Sequence, residues 1–268
     1  VGTGAGQFAI PLAAGWLILH YGWRWSFVII GVGVTLVLIV LAQFLRRDPE
    51  VAGFRPPSAR SDSIKKVKAA LPDISFSTAL RTSQLWTICL LNLFLVFCLM
   101  IVMLHIVPHA RDLGIPPMQA AGVLSTIGAV SMVGRFASGM AIDRRGSRAV
   151  MVFCFCLLLV SLVWVQFARQ TWALYAFAVV YGLAHGGFFT AISPLVAEFF
   201  GIRFHGSLFG LVVFFGTTGG AIGPLLAGYL FDISDSYQPT FRIITGMALV
   251  GFTLLISLRH SKGAKKRI

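Results

Sequence analysis

Charge is scarce in this sequence. Only 12% of its 268 residues are Asp, Glu, Lys or Arg, about half the ~25% of an ordinary soluble domain. Acidic side chains are scarcer still, 9 against 22 basic ones. A water-facing globular surface cannot be built from so few charges. Short segments of alternating polarity are also missing, which argues against a membrane β-barrel. The four cysteines, Cys89, Cys98, Cys154 and Cys156, all fall inside apolar stretches, and their spacing fits neither a thiolate metal site nor a disulfide framework. There is no nucleotide-binding loop, metal cluster or nucleophile–base pairing, so the expectation is neither an enzyme nor a cofactor-bearing protein. The first apolar stretch has no basic region before it and no small-residue cleavage site after it, so it does not read as a signal peptide.

What the sequence has instead is long apolar blocks. Hydrophobic residues make up 57% of it. A transmembrane helix needs about 20 mostly apolar residues, and eight such blocks run over 4–21, 26–45, 85–107, 117–142, 149–168, 172–200, 207–232 and 239–258. Hydrocarbon offers the backbone no partners, so each block is expected to be a helix. The fold class expected is therefore an all-α membrane protein with eight transmembrane helices. The formal net charge of +13 suggests nucleic acid at first sight, but the charges sort by helix parity. With alternating helix directions, 17 of the 22 Lys and Arg fall on one side, four (Arg24, Arg111, Arg169, Arg242) on the other, and Arg135 alone inside a block. That bias is the positive-inside pattern. It places the rich side and both termini in the cytoplasm of a bacterial inner membrane or plasma membrane, with the bilayer as partner and no role for nucleic acid.

One polar stretch, 46–84, is rich in Pro, Ser and basic residues and reads as a cytoplasmic linker, with a short surface helix around 62–71. Two blocks precede it and six follow. The phrase IPLAAGWLILHYGWRWSF (10–27) returns as GPLLAGYLFDISDSYQPTF (223–241): Pro11 matches Pro224, Gly15 matches Gly228 and Leu17 matches Leu230. The second copy lies in the fifth block after the linker. Two equivalent bundles would make the first block here a fifth helix, with four more expected before it. The domains expected are 1–45, the last two helices of an N-terminal half; 46–84, the linker; 85–258, a six-helix C-terminal half; and 259–268, a basic cytoplasmic tail.

The fourth block ends in GRFASGMAIDRRGSR (134–148). Gly139 and Gly146 permit close packing and a tight turn. Asp143 can pair with a neighbouring arginine or accept hydrogen bonds from a helix N-terminus, and Arg144, Arg145 and Arg148 anchor the cytoplasmic face. This pattern, Gly-x-x-x-Asp-Arg-x-Gly, resembles the signature loop of the major facilitator superfamily in its copy between the eighth and ninth helices. Ser147 stands where that signature carries a basic residue. The seventh block holds GTTGGAIGPLLAG (216–228), where Gly216, Gly220, Gly223 and Gly228 let another helix approach and Pro224 can bend the chain. Such helices resemble the superfamily's fifth and eleventh. With HIVPHARDLGIPP, YGLAHGGFFTAISPLVAEFFG and GWRWSF, the chain is similar to the oxalate/formate antiporter and monocarboxylate porter branch, from the fifth helix to the twelfth.

A charge inside the bilayer is costly and marks a bundle interior or aqueous cavity. Arg135 suits two-pronged binding of a carboxylate, and the resemblance implies a substrate-linked arginine at this point. A structural arginine paired with a carbonyl or Asp143 is the alternative. Some porters carry an aspartate one turn earlier, where this chain has Ser131; the oxalate exchangers carry a lysine in the eleventh helix, where the block at 207–232 has no Lys or Arg. The missing second cation favours a singly charged substrate. His105 and His109, spaced i and i+4 with Asp112 beyond, are candidates for substrate or proton contact, for a metal, or for an ordinary interfacial pair. His185, within AHGGFF, can carry a coupling proton or be a hydrogen-bonded structural residue; Gly186 and Gly187 are expected to leave room for substrate. Glu198 reads as interfacial. The function expected is alternating-access transport of small organic monoanions such as monocarboxylates, coupled to a proton or counter-anion. The alternatives are a non-transporting fragment and a histidine-based membrane metalloenzyme.

Overall fold

The structure is a computed structural model that describes residues 2–44 and 74–258. The linker as far as residue 73, its surface helix around 62–71 and the tail 259–268 lie outside the described residues.

Two compact units make up the chain: residues 1–11 with 71–268, and residues 12–70. The first helical element, α1 (Gly2–Ala42), begins in one and continues through the other. Its 41 residues would measure about 60 Å as a straight helix, roughly twice the hydrocarbon thickness of a bilayer. The backbone leaves helical geometry at Gly22, with φ 74° and ψ 167°, a conformation open to glycine and to few other residues. Two helices thus meet directly at Gly22 within this element, in line with the blocks expected over 4–21 and 26–45, with no loop between them.

The other elements belong to the larger unit. They are α2 (Phe76–Leu80), α3 (Ser83–Asp112), α4 (Pro117–Arg145), α5 (Ser147–Val165), α6 (Thr171–Phe200), α7 (His205–Ser234) and α8 (Gln238–Ser257). Among the described residues seven helices, α1 and α3 to α8, are long and apolar enough to cross a membrane. The short α2 falls inside the stretch read as linker. Ser75 starts it, its side-chain oxygen accepting from the Thr78 N–H at 3.2 Å. Helix α3 runs five residues beyond the apolar block that ends at 107 and carries Pro108 within it. A proline so near a helix C-terminus removes one backbone bond without ending the helix.

Packing in the larger unit is dominated by two pairs, α4 with α6 and α3 with α7, joined through α5 and α8. Tyr181, Phe155, Phe177, Phe188 and Phe241 are the bulkiest fully buried side chains. Phe155 meets Phe188 edge-on at 4.9 Å between ring centroids, an arrangement worth more than its buried area alone.

Candidate functional site

Small residues decide where the two helix pairs cross. On α6, a Cβ added at Gly186 would collide with the Ser131 carbonyl oxygen of α4, and one at Gly187 with the Cys154 sulfur of α5. A Cβ added at Gly182 would stand 3.0 Å from the Ile127 carbonyl oxygen, and one at Gly134 of α4 2.6 Å from the Leu183 carbonyl oxygen. Gly186 and Gly187 therefore bring helices together; they leave no room for substrate, because neighbouring backbone and side chains already fill that space. On α7, Gly216 approaches Asn92, Gly220 approaches Val96 and Met100, and Gly223 approaches the Phe97 carbonyl at 2.9 Å. Gly219, which the sequence reading passed over, meets the Leu93 carbonyl most closely of all. Gly228 takes no part: a Cβ there would meet nothing within 4 Å.

This crossing carries Arg135 on α4 next to the aromatic face of α6. The guanidinium carbon lies 5.4 Å from the Phe189 ring centroid, within cation–π range. His185, one turn earlier on α6, has its ring centroid 5.0 Å from the same ring and 5.9 Å from that of Tyr181. Tyr181 donates its hydroxyl proton to the Leu99 carbonyl at 3.0 Å. His185 is wholly buried, and neither ring nitrogen has a hydrogen-bond partner among the described residues. Phe189 also helps line a cavity of about 170 Å³ between α3, α6 and α7, walled by Leu95, Leu99, Phe188 and Phe209, with Thr217 as a polar group. Asn92 on its rim donates to the Val212 carbonyl at 2.8 Å.

His105 and His109 form a second cluster. Tyr237, just before α8, is its hub. The Tyr237 ring stacks on Phe231 at 4.5 Å and meets His109 edge-on at 5.6 Å. Burial, then the Asp112 and Asp232 carboxylates, pushes the Tyr237 phenol above its ordinary pKa, so it stays a proton donor. Its hydroxyl faces His105 Nδ1 at 3.3 Å, and His105 Nε2 faces the Pro224 carbonyl at 3.1 Å. A carbonyl only accepts, which fixes the proton on Nε2 and leaves Nδ1 to accept from Tyr237. Both His105 nitrogens are thus occupied in tying α3 to α7 and α8. His109 is buried against Phe241 at 4.9 Å.

At the turn after α4, Gly146 adopts φ 79° and ψ 160°, and α5 begins at once. Its exposed N–H groups attract an acceptor. Asp143, for which this place and a pairing with a neighbouring arginine were both open, does not take it; Glu198 does. The Ser147 N–H donates to Glu198 Oε1 at 2.8 Å and the Ser147 hydroxyl to Oε2 at 2.7 Å. Glu198 comes from α6, packed along α5, whereas Asp143 lies back inside α4, exposed and without a hydrogen bond or ion pair among the described residues. The serine that departs from the signature loop therefore has a use of its own. Arg148 caps the far end of α8, donating to the Ile256 carbonyl at 2.8 Å. Arg144 is exposed, and a Cβ at Gly139 would come no nearer than 4.0 Å to Thr190.

A sequence profile of the Major Facilitator Superfamily matches residues 1–148 and, a second time, residues 112–267. The chain belongs to the major facilitator superfamily. Monocarboxylate transporter 13 of Bos taurus is 29% identical to it over 267 residues, 97% of this chain and 58% of that protein. Monocarboxylate transporter 12-B of Danio rerio is 25% identical over 279 residues, 95% of this chain and 58% of that protein. An uncharacterized MFS-type transporter of Bacillus subtilis (strain 168) is 25% identical over 247 residues, 89% of this chain and 57% of that protein. The chain thus spans a little over half the length of the curated relatives it matches. Its superfamily membership and its apolar helices make it an integral, multi-pass membrane protein.

Proposed function

We propose that this chain is the greater part of a secondary transporter that carries small organic monoanions, monocarboxylates first among them, by alternating access. In this reading residues 1–45 end one helix half, 46–84 link it to the other on the cytoplasmic side, and 85–258 form a six-helix half. The observation that carries the reading is Arg135, a permanent cation within a membrane-spanning helix, set against Phe189 at the edge of an apolar cavity. A guanidinium binds a carboxylate through two parallel hydrogen bonds, and the aromatic wall suits the apolar remainder of the same molecule. Helix α7 has no Lys or Arg, which supports a single negative charge on the substrate. The names of the relatives support a transport protein rather than an enzyme.

The test is uptake by the complete protein in proteoliposomes, with pyruvate, lactate and phenylpyruvate as probes and the corresponding amides as controls. The expected result is saturable uptake of at least one acid that its amide does not inhibit. Uptake of amides as readily as acids, or of none of the acids, would overturn the proposal.

A further inference from the structure

The widest gap between what a side chain needs and what its surroundings supply is at His185. Buried polar groups in folded proteins are nearly always hydrogen-bonded, and an exception calls for a cause. His185 is 0% exposed, and both of its ring nitrogens lack a partner among the described residues. A residue kept only to fill space between Tyr181 and Phe189 would be served by leucine or phenylalanine without the cost of two unsatisfied nitrogens.

We infer that His185 carries the proton that travels with the anion bound at Arg135. The inference rests on the proposed anion transport and adds the group that couples it. Both residues flank one ring: the guanidinium at 5.4 Å and the imidazole at 5.0 Å from the Phe189 centroid, which limits their separation to about 10 Å. With no anion present, a second cation on His185 would face the fixed charge of Arg135. A carboxylate on Arg135 cancels that charge and lets a ring nitrogen take a proton from the water that enters with it. The reverse holds by linkage: a protonated His185 favours the anion. When the site opens to the other side, the carboxylate leaves and the proton follows.

Arg135 is the charged group that faces His185 across the α4–α6 crossing. Tyr181, on its own helix, is committed to Leu99; Cys98 of α3 donates to the Ile244 carbonyl at 3.4 Å; Cys154 of α5 lies against Gly187; and His205 of α7 bonds the Ser193 hydroxyl at 3.1 Å. The carboxylates of these helices, Asp112, Asp143, Glu198 and Asp232, stand in their last turns. Among the described residues, no other group on these faces is placed to do the same work.

Two unit charges about 10 Å apart, at an effective dielectric constant of about 20, change each other's binding roughly tenfold. The experiment measures pyruvate and phenylpyruvate affinity of the complete protein at about pH 5.5 and about pH 8, either side of the ordinary histidine range; both acids stay ionised throughout. Wild type is expected to bind more tightly at the lower pH, by a few-fold and at most about tenfold. In His185→Gln, which keeps hydrogen-bonding capacity without titrating, the ratio should fall to near one whatever the absolute affinity. His185→Asn serves as a second non-titrating variant. A dye measurement on wild type in weak buffer keeps the test decisive if neither variant inserts: anion binding should take up protons from solution. A pH ratio in either variant equal to that of wild type, or anion binding by wild type without proton uptake, overturns the inference and leaves anion transport standing. Failure of wild type to bind either probe removes the transport proposal itself.

Discussion

Glu198 is the carboxylate whose removal the structure lets us follow most closely. Its two oxygens accept from the backbone N–H and the hydroxyl of Ser147, at 2.8 and 2.7 Å, and Ser147 itself is wholly buried. Hydrogen bonds to a charged acceptor contribute about 1.5–3 kcal/mol each. Glu198→Ala breaks both and strands two buried donors at the positive end of α5. Because Glu198 is itself half-buried, the lower part of the summed range applies, about 3–4 kcal/mol. Glu198→Gln retains one good acceptor and should lose about half as much; Ser147→Ala loses only the hydroxyl bond, about 1–1.5 kcal/mol. For a chain of this size 1 kcal/mol corresponds to roughly 2–4 °C. Thermal unfolding of the purified protein in detergent should therefore rank Glu198→Ala lowest, then Glu198→Gln, then Ser147→Ala, with the first displaced by about 5–15 °C. A Glu198→Ala protein melting within 1 °C of wild type, or a Ser147→Ala protein melting below it, would refute the reasoning.

Other outcomes follow from the same geometry. Gly186→Ala and Gly219→Ala each drive a methyl into a neighbouring carbonyl oxygen and should cost about 1–3 kcal/mol, while Gly228→Ala, facing open space, should be neutral or stabilise by up to about 1 kcal/mol; equal effects in a thermal-shift comparison would contradict the assigned crossings. Tyr237→Phe should cost about 0.5–1.5 kcal/mol for the bond to His105, and Tyr237→Ala about 3–5 kcal/mol through loss of its stacked ring; denaturant titration of both variants checks that order. Asp143→Asn, at an exposed position without a partner among the described residues, should leave stability within about 0.5 kcal/mol and lower uptake in proteoliposomes, and uptake equal to wild type would make Asp143 an ordinary surface charge.

The helices were legible because hydrocarbon leaves the backbone one solution. Six apolar blocks correspond to α3–α8 with ends shifted by at most five residues. Two features escaped that logic. Gly-Trp-Arg-Trp interrupts the apolar run and separates two blocks, but only backbone angles show that the break between the two helices is the single residue Gly22. Ser75 is a short polar cap within a polar stretch, so α2 carried no apolar signal.

The candidate site was legible by residue type and not by arrangement. A lone arginine in an apolar block marks itself, and so does a histidine among glycines. Neither periodicity nor composition says that Gly186 and Gly187 seal a helix crossing, that Phe189 touches both Arg135 and His185, or that His105 and His109 belong to another cluster. Those facts depend on helix rotation, which small residues set by letting particular faces touch. The Glu198–Ser147 contact joins residues 51 apart in sequence. A departure from the signature loop at Ser147, together with an acidic residue near the end of a neighbouring helix, was the available signal.

The central claim, that Arg135 holds the carboxylate of the transported anion, is tested most directly by anion affinity per folded molecule in Arg135 variants of the complete protein. Arg135→Lys keeps the charge and loses the two-pronged geometry. Loss of one charge-assisted hydrogen bond, about 1.5–3 kcal/mol, weakens pyruvate binding about 10- to 150-fold. Arg135→Ala should bind more weakly still, because a carboxylate would enter an apolar site unpaired, and binding of the amide should be little changed in both. If folded Arg135→Lys and Arg135→Ala proteins bind pyruvate as tightly as wild type, Arg135 is not the anion site and the substrate class proposed for this chain is wrong.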